Sequence, residues 1–144
     1  MDEAHQESRL ENERAARYLG TARIALKWLH IDVTEVSQKH VQVLKTRFAK
    51  DCCRLDPRNH IPAIINRQDF ESALRTSSLK DDLLRRNKNG EFPDLIFWPD
   101  FKLDCLHGRH RLEAARSALV SSDRWWTVDL YRAGITGINT FIPS

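Results

Sequence analysis

Strand-like and helical spacings take turns along this chain. From Ala22 to Val33 (ARIALKWLHIDV), Ile24, Leu26, Trp28 and His30 alternate with Ala25, Lys27, Leu29 and Ile31, which predicts a strand with its larger side chains on one side. Val41, Leu44 and Phe48 then fall at helical spacing, with Lys39, Lys45, Arg47 and Lys50 elsewhere on the surface. Thr34 or Ser37 can cap the helix predicted from about 35 to 51. After the turn signal Asp56-Pro57-Arg58-Asn59, the run from His60 to Asn66 reads as a buried strand. Pro62 places itself at an edge or at the strand's beginning, because proline cannot donate to a ladder. Phe70, Ala73 and Leu74 predict a short helix within 68–77, with Asp69 and Glu71 near its positive end. Lys80 to Glu91 is polar, ends in Asn89-Gly90 and predicts a mobile connection.

In the last third, Phe101 to Cys105 alternates as a strand, and at Gly108 the spacing turns helical through Leu112, Ala115 and Leu119, with Ala114 and Ala118 allowing close packing. Trp125 to Tyr131 is the clearest strand of the chain. Trp126, Val128 and Leu130 should face the core, which leaves Trp125, Thr127, Asp129 and Tyr131 on the other side. The expected organisation is a polar lead-in (1–20), one α/β (α+β) domain (21–133) built as a small mixed sheet with packed helices, and a tail without period (134–144).

Composition narrows the setting. With 144 residues, 41% hydrophobic, 30% charged and a net charge of +3, the chain reads as a single folded domain and not as a disordered or low-complexity segment. The apolar runs Ile61–Ile65 and Leu95–Trp98 are too short to span a bilayer, so no membrane partner is expected. Three cysteines, two of them the adjacent Cys52 and Cys53, make no disulfide framework and fit a reducing intracellular compartment, cytoplasmic or nuclear.

The chemistry concentrates where strand gives way to helix, in Cys105-Leu-His-Gly-Arg-His-Arg-Leu-Glu113. A strand opening through glycine into a helix leaves backbone N–H groups unpaired at the positive end of the helix dipole. Gly108 removes a Cβ that could block a phosphate, while Arg109 and Arg111 offer forked donors and His110 a further contact. The plain alternative is a solvated first turn with Arg109 and Glu113 paired, worth about a few tenths of a kcal/mol.

Gly108-Arg-His-Arg111, followed by Leu-Glu-Ala-Ala and the Trp-Thr-Val-Asp-Leu strand, resembles the Gly-x-His-Arg signature of the ParB/sulfiredoxin-like superfamily. More narrowly, His107 to Arg116 together with Asp123 to Tyr131 resembles a family of fungal proteins, often much longer, that is common in mobile elements. The superfamily resemblance implies a ParB/sulfiredoxin-like domain. In sulfiredoxin the position between the glycine and the histidine is the catalytic cysteine; here it is Arg109, so sulfinic-acid reduction is not expected. In ParB the turn grips CTP phosphates, which implies nucleotide contacts at Gly108, His110 and Arg111, a nucleoside triphosphate (CTP or ATP) with magnesium as ligand, and DNA as a further partner. Arg109 in place of an acid weakens the expectation of hydrolysis.

Other readings of the same residues remain open. Arg116, Arg124 and Trp125 are candidates for single-stranded nucleic acid, as cations beside a stacking ring. A nuclease would need clustered carboxylates, and Asp100, Asp104, Asp123 and Asp129 are scattered. Cys105, His107 and His110, with Cys52, Cys53 and His60, are soft ligands whose spacing fits no structural zinc module, so no metal is expected. The domain could also act as a DNA-associated module without nucleotide turnover, or as a reduced fragment of a longer fungal protein.

Overall fold

The computed structural model describes residues 16–31, 38–50, 54–85 and 91–133. Over these the chain forms strands β1 (Tyr18–Ala25), β2 (Leu29–His30), β3 (Ile61–Ile65), β4 (Leu103–Cys105) and β5 (Trp125–Arg132), with helices α1 (Gln38–Lys50), α2 (Arg67–Ser77) and α3 (Arg109–Ala118). The predicted caps Thr34 and Ser37, the adjacent cysteines Cys52 and Cys53, the Asn89-Gly90 turn, the lead-in up to 15 and the tail from 134 lie outside the described residues.

The strands form one mixed five-stranded sheet in the order β1-β5-β3-β4-β2. β5 runs antiparallel to β1 and parallel to β3, while β4 is antiparallel to β3 and parallel to β2. Alternation decides the faces: Ile24 opposite Trp126, Ile61 opposite Val128 and Ala63 opposite Leu130 put one continuous apolar row under the helices. Trp126, Val128 and Leu130 are fully buried, as their spacing predicts.

The strand predicted from 22 to 33 is two strands. Leu26, Trp28 and Leu29 are all buried, a demand that alternation cannot meet, and a 3₁₀ turn at Leu26–Trp28 rotates them inward. This break has a geometric consequence. Only three residues separate β1 from β2, so the link reaches at most about 14 Å. The outer strands of a flat five-stranded sheet would stand about 19 Å apart, so the sheet curls until its edges approach. Segment 93–95 lines the β1 edge, where the N–H of Arg23 donates to the Pro93 carbonyl at 2.8 Å and that of Leu95 to the Arg23 carbonyl at 3.0 Å.

Pro62 sits in the central strand, near its beginning. Its carbonyl accepts from the N–H of Leu106 at 2.8 Å, one residue past the end of β4, so the β4 ladder has already ended at that level, while Pro62 stays in register with Asp129 of β5. α1 and α3 pack side by side through Val41, Leu44 and Ala114 and lie on the apolar face, with the Phe48 ring 5.2 Å from that of Trp126. No helix among the described residues is long and apolar enough to cross a membrane.

Candidate functional site

Gly108 ends the β4 turn and caps α3 with φ +105° and ψ 16°, and no side chain caps the helix. Its conformation is one that side-chain-bearing residues avoid. A Cβ at Gly108 would lie 2.9 Å from Cγ1 of Ile61. The Cβ side of this glycine is therefore filled by Ile61 of β3, which gives it a packing role, while the residue itself also lines the cavity beside α3. Tight docking of the turn on β3 fixes the direction in which the first turn of α3 presents Arg109, His110 and Arg111.

These side chains border a cavity of about 550 Å³ whose opposite wall is α1 and the 3₁₀ turn at Pro57–Asn59. α1 contributes His40, Leu44 and Arg47, successive positions of one helical face; the turn contributes Asn59, and the loop before α3 contributes His107. Arg47, Arg109 and Arg111 with three imidazoles thus line a cavity that receives no carboxylate from the described residues. Arg111 is half-buried. Desolvation holds its pKa below the ordinary arginine value, and it makes no ion pair among the described residues. His40 and His110 stack across the opening with ring centroids 4.5 Å apart and planes 10° from parallel. Burial, then the charges of His40 and Arg109, push the His110 pKa down.

The turn carrying Asn59 is firmly held. The Asp56 carboxylate accepts from the N–H of Arg58 at 3.0 Å, and the Asn59 carbonyl accepts the Trp126 indole N–H at 2.8 Å. His60, buried, joins Oδ1 of Asp129 at 2.9 Å through Nδ1 and the Leu55 carbonyl at 3.1 Å through Nε2. Burial opposes its charge, but the hydrogen bond and charge of Asp129 outweigh it and raise its pKa. With an acceptor at each nitrogen, the ring is satisfied as imidazolium. Asp129 also accepts from the Thr21 hydroxyl at 2.7 Å.

The remaining sequence candidates lie elsewhere. Arg116 donates to the Leu29 carbonyl at 2.8 Å and sits 3.6 Å from Glu113, which takes the place of the Arg109–Glu113 pairing expected from spacing. Arg124 donates to the Leu119 carbonyl at 3.0 Å. The Trp125 ring is covered by the guanidinium groups of Arg54 at 3.5 Å and Arg23 at 3.9 Å. None of the three lines the cavity. Cys105 is buried, its thiol pushed up to about 12 by desolvation, which makes it an inert core residue. Among the described residues no group of three or more His, Cys, Asp or Glu is gathered to hold a metal ion.

His40, Arg47 and Asn59 are the polar lining residues that sequence reasoning missed. His40 and Arg47 flank Leu44 by one turn on either side, so the helical spacing that identified the buried face of α1 also carried the signal for its rim.

Against known families, residues 17–139 match the model described as the N-terminal domain of a protein of unknown function (DUF3723). No curated protein and no solved structure matches the chain.

Proposed function

The chain belongs to the DUF3723 N-terminal domain family, whose description states no activity, and from the cleft itself we propose that it is a phosphate-binding or nucleotide-binding domain. The observation that carries this reading is Arg111, a half-buried guanidinium in a cavity walled by cations and imidazoles, beside the uncapped N-terminus of a helix. An oxyanion there would meet forked donors and backbone N–H groups together, and its charge would offset the repulsion among Arg47, Arg109 and Arg111. The resemblance to the ParB/sulfiredoxin-like turn points to the same chemistry, and a ParB-like relationship is part of the proposal.

Catalysis is not part of it. Magnesium takes oxygen ligands, and the cavity offers no carboxylate from the described residues, so its side chains fit a polyphosphate and not a metal ion held by the protein. A DNA-associated module is the competing reading. It predicts binding that weakens steeply with salt and ignores added nucleotide.

Thermal unfolding with ATP, CTP, GTP, inorganic phosphate or triphosphate tests the proposal, since a ligand of the native state raises Tm. Stabilisation by at least the polyphosphates is expected. Arg111→Ala should weaken it about 10–100-fold in Kd, as for loss of a charged hydrogen bond. If no phosphate shifts Tm, or Arg111→Ala binds as the wild type does, the proposal fails.

A further inference from the structure

The cleft does not end at Arg111. A second hollow of about 500 Å³ adjoins it, with Leu44, Arg47, Asn59 and Arg111 lining both. Its character differs. Beyond the shared wall it is lined by Phe48 and Trp126, and by Asp56 and Arg58, which neutralise each other at 2.8 Å. The charge excess is thus confined to the Gly108 end, and the far end is apolar with polar edges and no net charge. Phe48 is half-buried and tilted at 42° on Trp126, so the part of its ring left uncovered borders the hollow.

We infer that the two adjoining hollows together take one free nucleoside polyphosphate, its phosphates at Arg109–Arg111 and its ring beside Phe48 with the Asn59 side chain at its edge. This rests on the phosphate-binding reading and adds to it the place of the ligand's ring, on α1 beyond the shared wall. A polyanion with a neutral planar end matches a groove that is cationic at one end and neutral and aromatic at the other. A nucleic-acid strand needs cations all along its path, and among the lining residues beyond the shared wall the cation, Arg58, is already paired with Asp56 at 2.8 Å.

Titration calorimetry of the intact chain with inorganic triphosphate, ATP, CTP and a short single-stranded oligonucleotide separates the possibilities. A nucleoside triphosphate should bind about tenfold or more tighter than triphosphate, the difference supplied by the ring. Phe48→Leu, which preserves bulk against Trp126, should remove most of that difference and leave triphosphate affinity within about twofold; its Tm verifies that the domain still folds. Equal wild-type affinities for triphosphate and both nucleotides would overturn the inference while leaving the phosphate reading intact. Tighter binding of the oligonucleotide would overturn it in favour of nucleic acid, and failure of triphosphate itself to bind would remove the phosphate reading as well.

Discussion

Replacing Gly108 by alanine would strain the cleft at its root. At φ +105° a residue with a Cβ loses about 1–2 kcal/mol. The new methyl would stand 2.9 Å from Cγ1 and 3.3 Å from Cδ1 of Ile61, and overpacking of that kind costs about 1–3 kcal/mol. Against this, alanine restricts the unfolded chain and returns about 0.4–1 kcal/mol. The balance is a destabilisation of about 3 kcal/mol, or about 10 °C in Tm for a domain of this size. Urea unfolding of Gly108→Ala, Ile61→Ala and the double variant would separate the contributions. Ile61→Ala alone should cost about 2–5 kcal/mol, yet it removes the atoms that the new methyl meets. The double variant should therefore be about 1–3 kcal/mol more stable than the two single losses summed. Strict additivity, or a Gly108→Ala protein as stable as the wild type, would refute the packing role assigned to this glycine.

The His60–Asp129 pair makes stability pH-dependent. Because the folded-state pKa of His60 is raised, its contribution is complete below the ordinary histidine value of about 6.5 and is lost as pH rises through the folded value; Asp129→Asn should flatten that slope in urea midpoints measured from pH 5 to 9. His110, stacked on His40, should couple anion binding to proton uptake. An anion raises the His110 pKa that burial and neighbouring charge depress in the free protein, so affinity for the non-titrating sulfate ion should rise as pH falls through the imidazole range, and His110→Gln should remove much of that rise in calorimetric titrations. Arg116→Gln, remote from the cavity, should leave triphosphate affinity within about twofold.

Much of this arrangement was legible in the sequence. β5 announced itself because one face of it is fully buried and its spacing has no competing interpretation, and the change of spacing at Gly108 marked the start of α3 to the residue. The break at Leu26 was hidden, because Ile24, Leu26, Trp28 and His30 alternate on paper, and sequence does not reveal that Leu29 is buried beside Trp28, which requires the 3₁₀ turn. Pro62 suggested an edge or a strand's beginning; it stands second in β3, and the edge alternative fails because sequence does not reveal that the neighbouring β4 stops short of it. At the cleft the local turn was readable. The opposite wall, from α1 and Asn59, depends on which helices become neighbours, and that is settled by long-range packing of Val41 and Leu44 on Ala114.

The strand order also carries a kinetic consequence. β5 lies between β1 and β3, yet it is synthesised after both, and contacts such as Thr21 with Asp129 join residues 108 positions apart. During synthesis the sheet cannot close from its N-terminal end. β1 and β3 must wait with unpaired edges until Arg132 has left the ribosome, in the state most exposed to wrong partners. The closing of that one long loop then sets the pace of assembly, so refolding should be slow for the size of the domain and should track substitutions along β5 more closely than those in the helices.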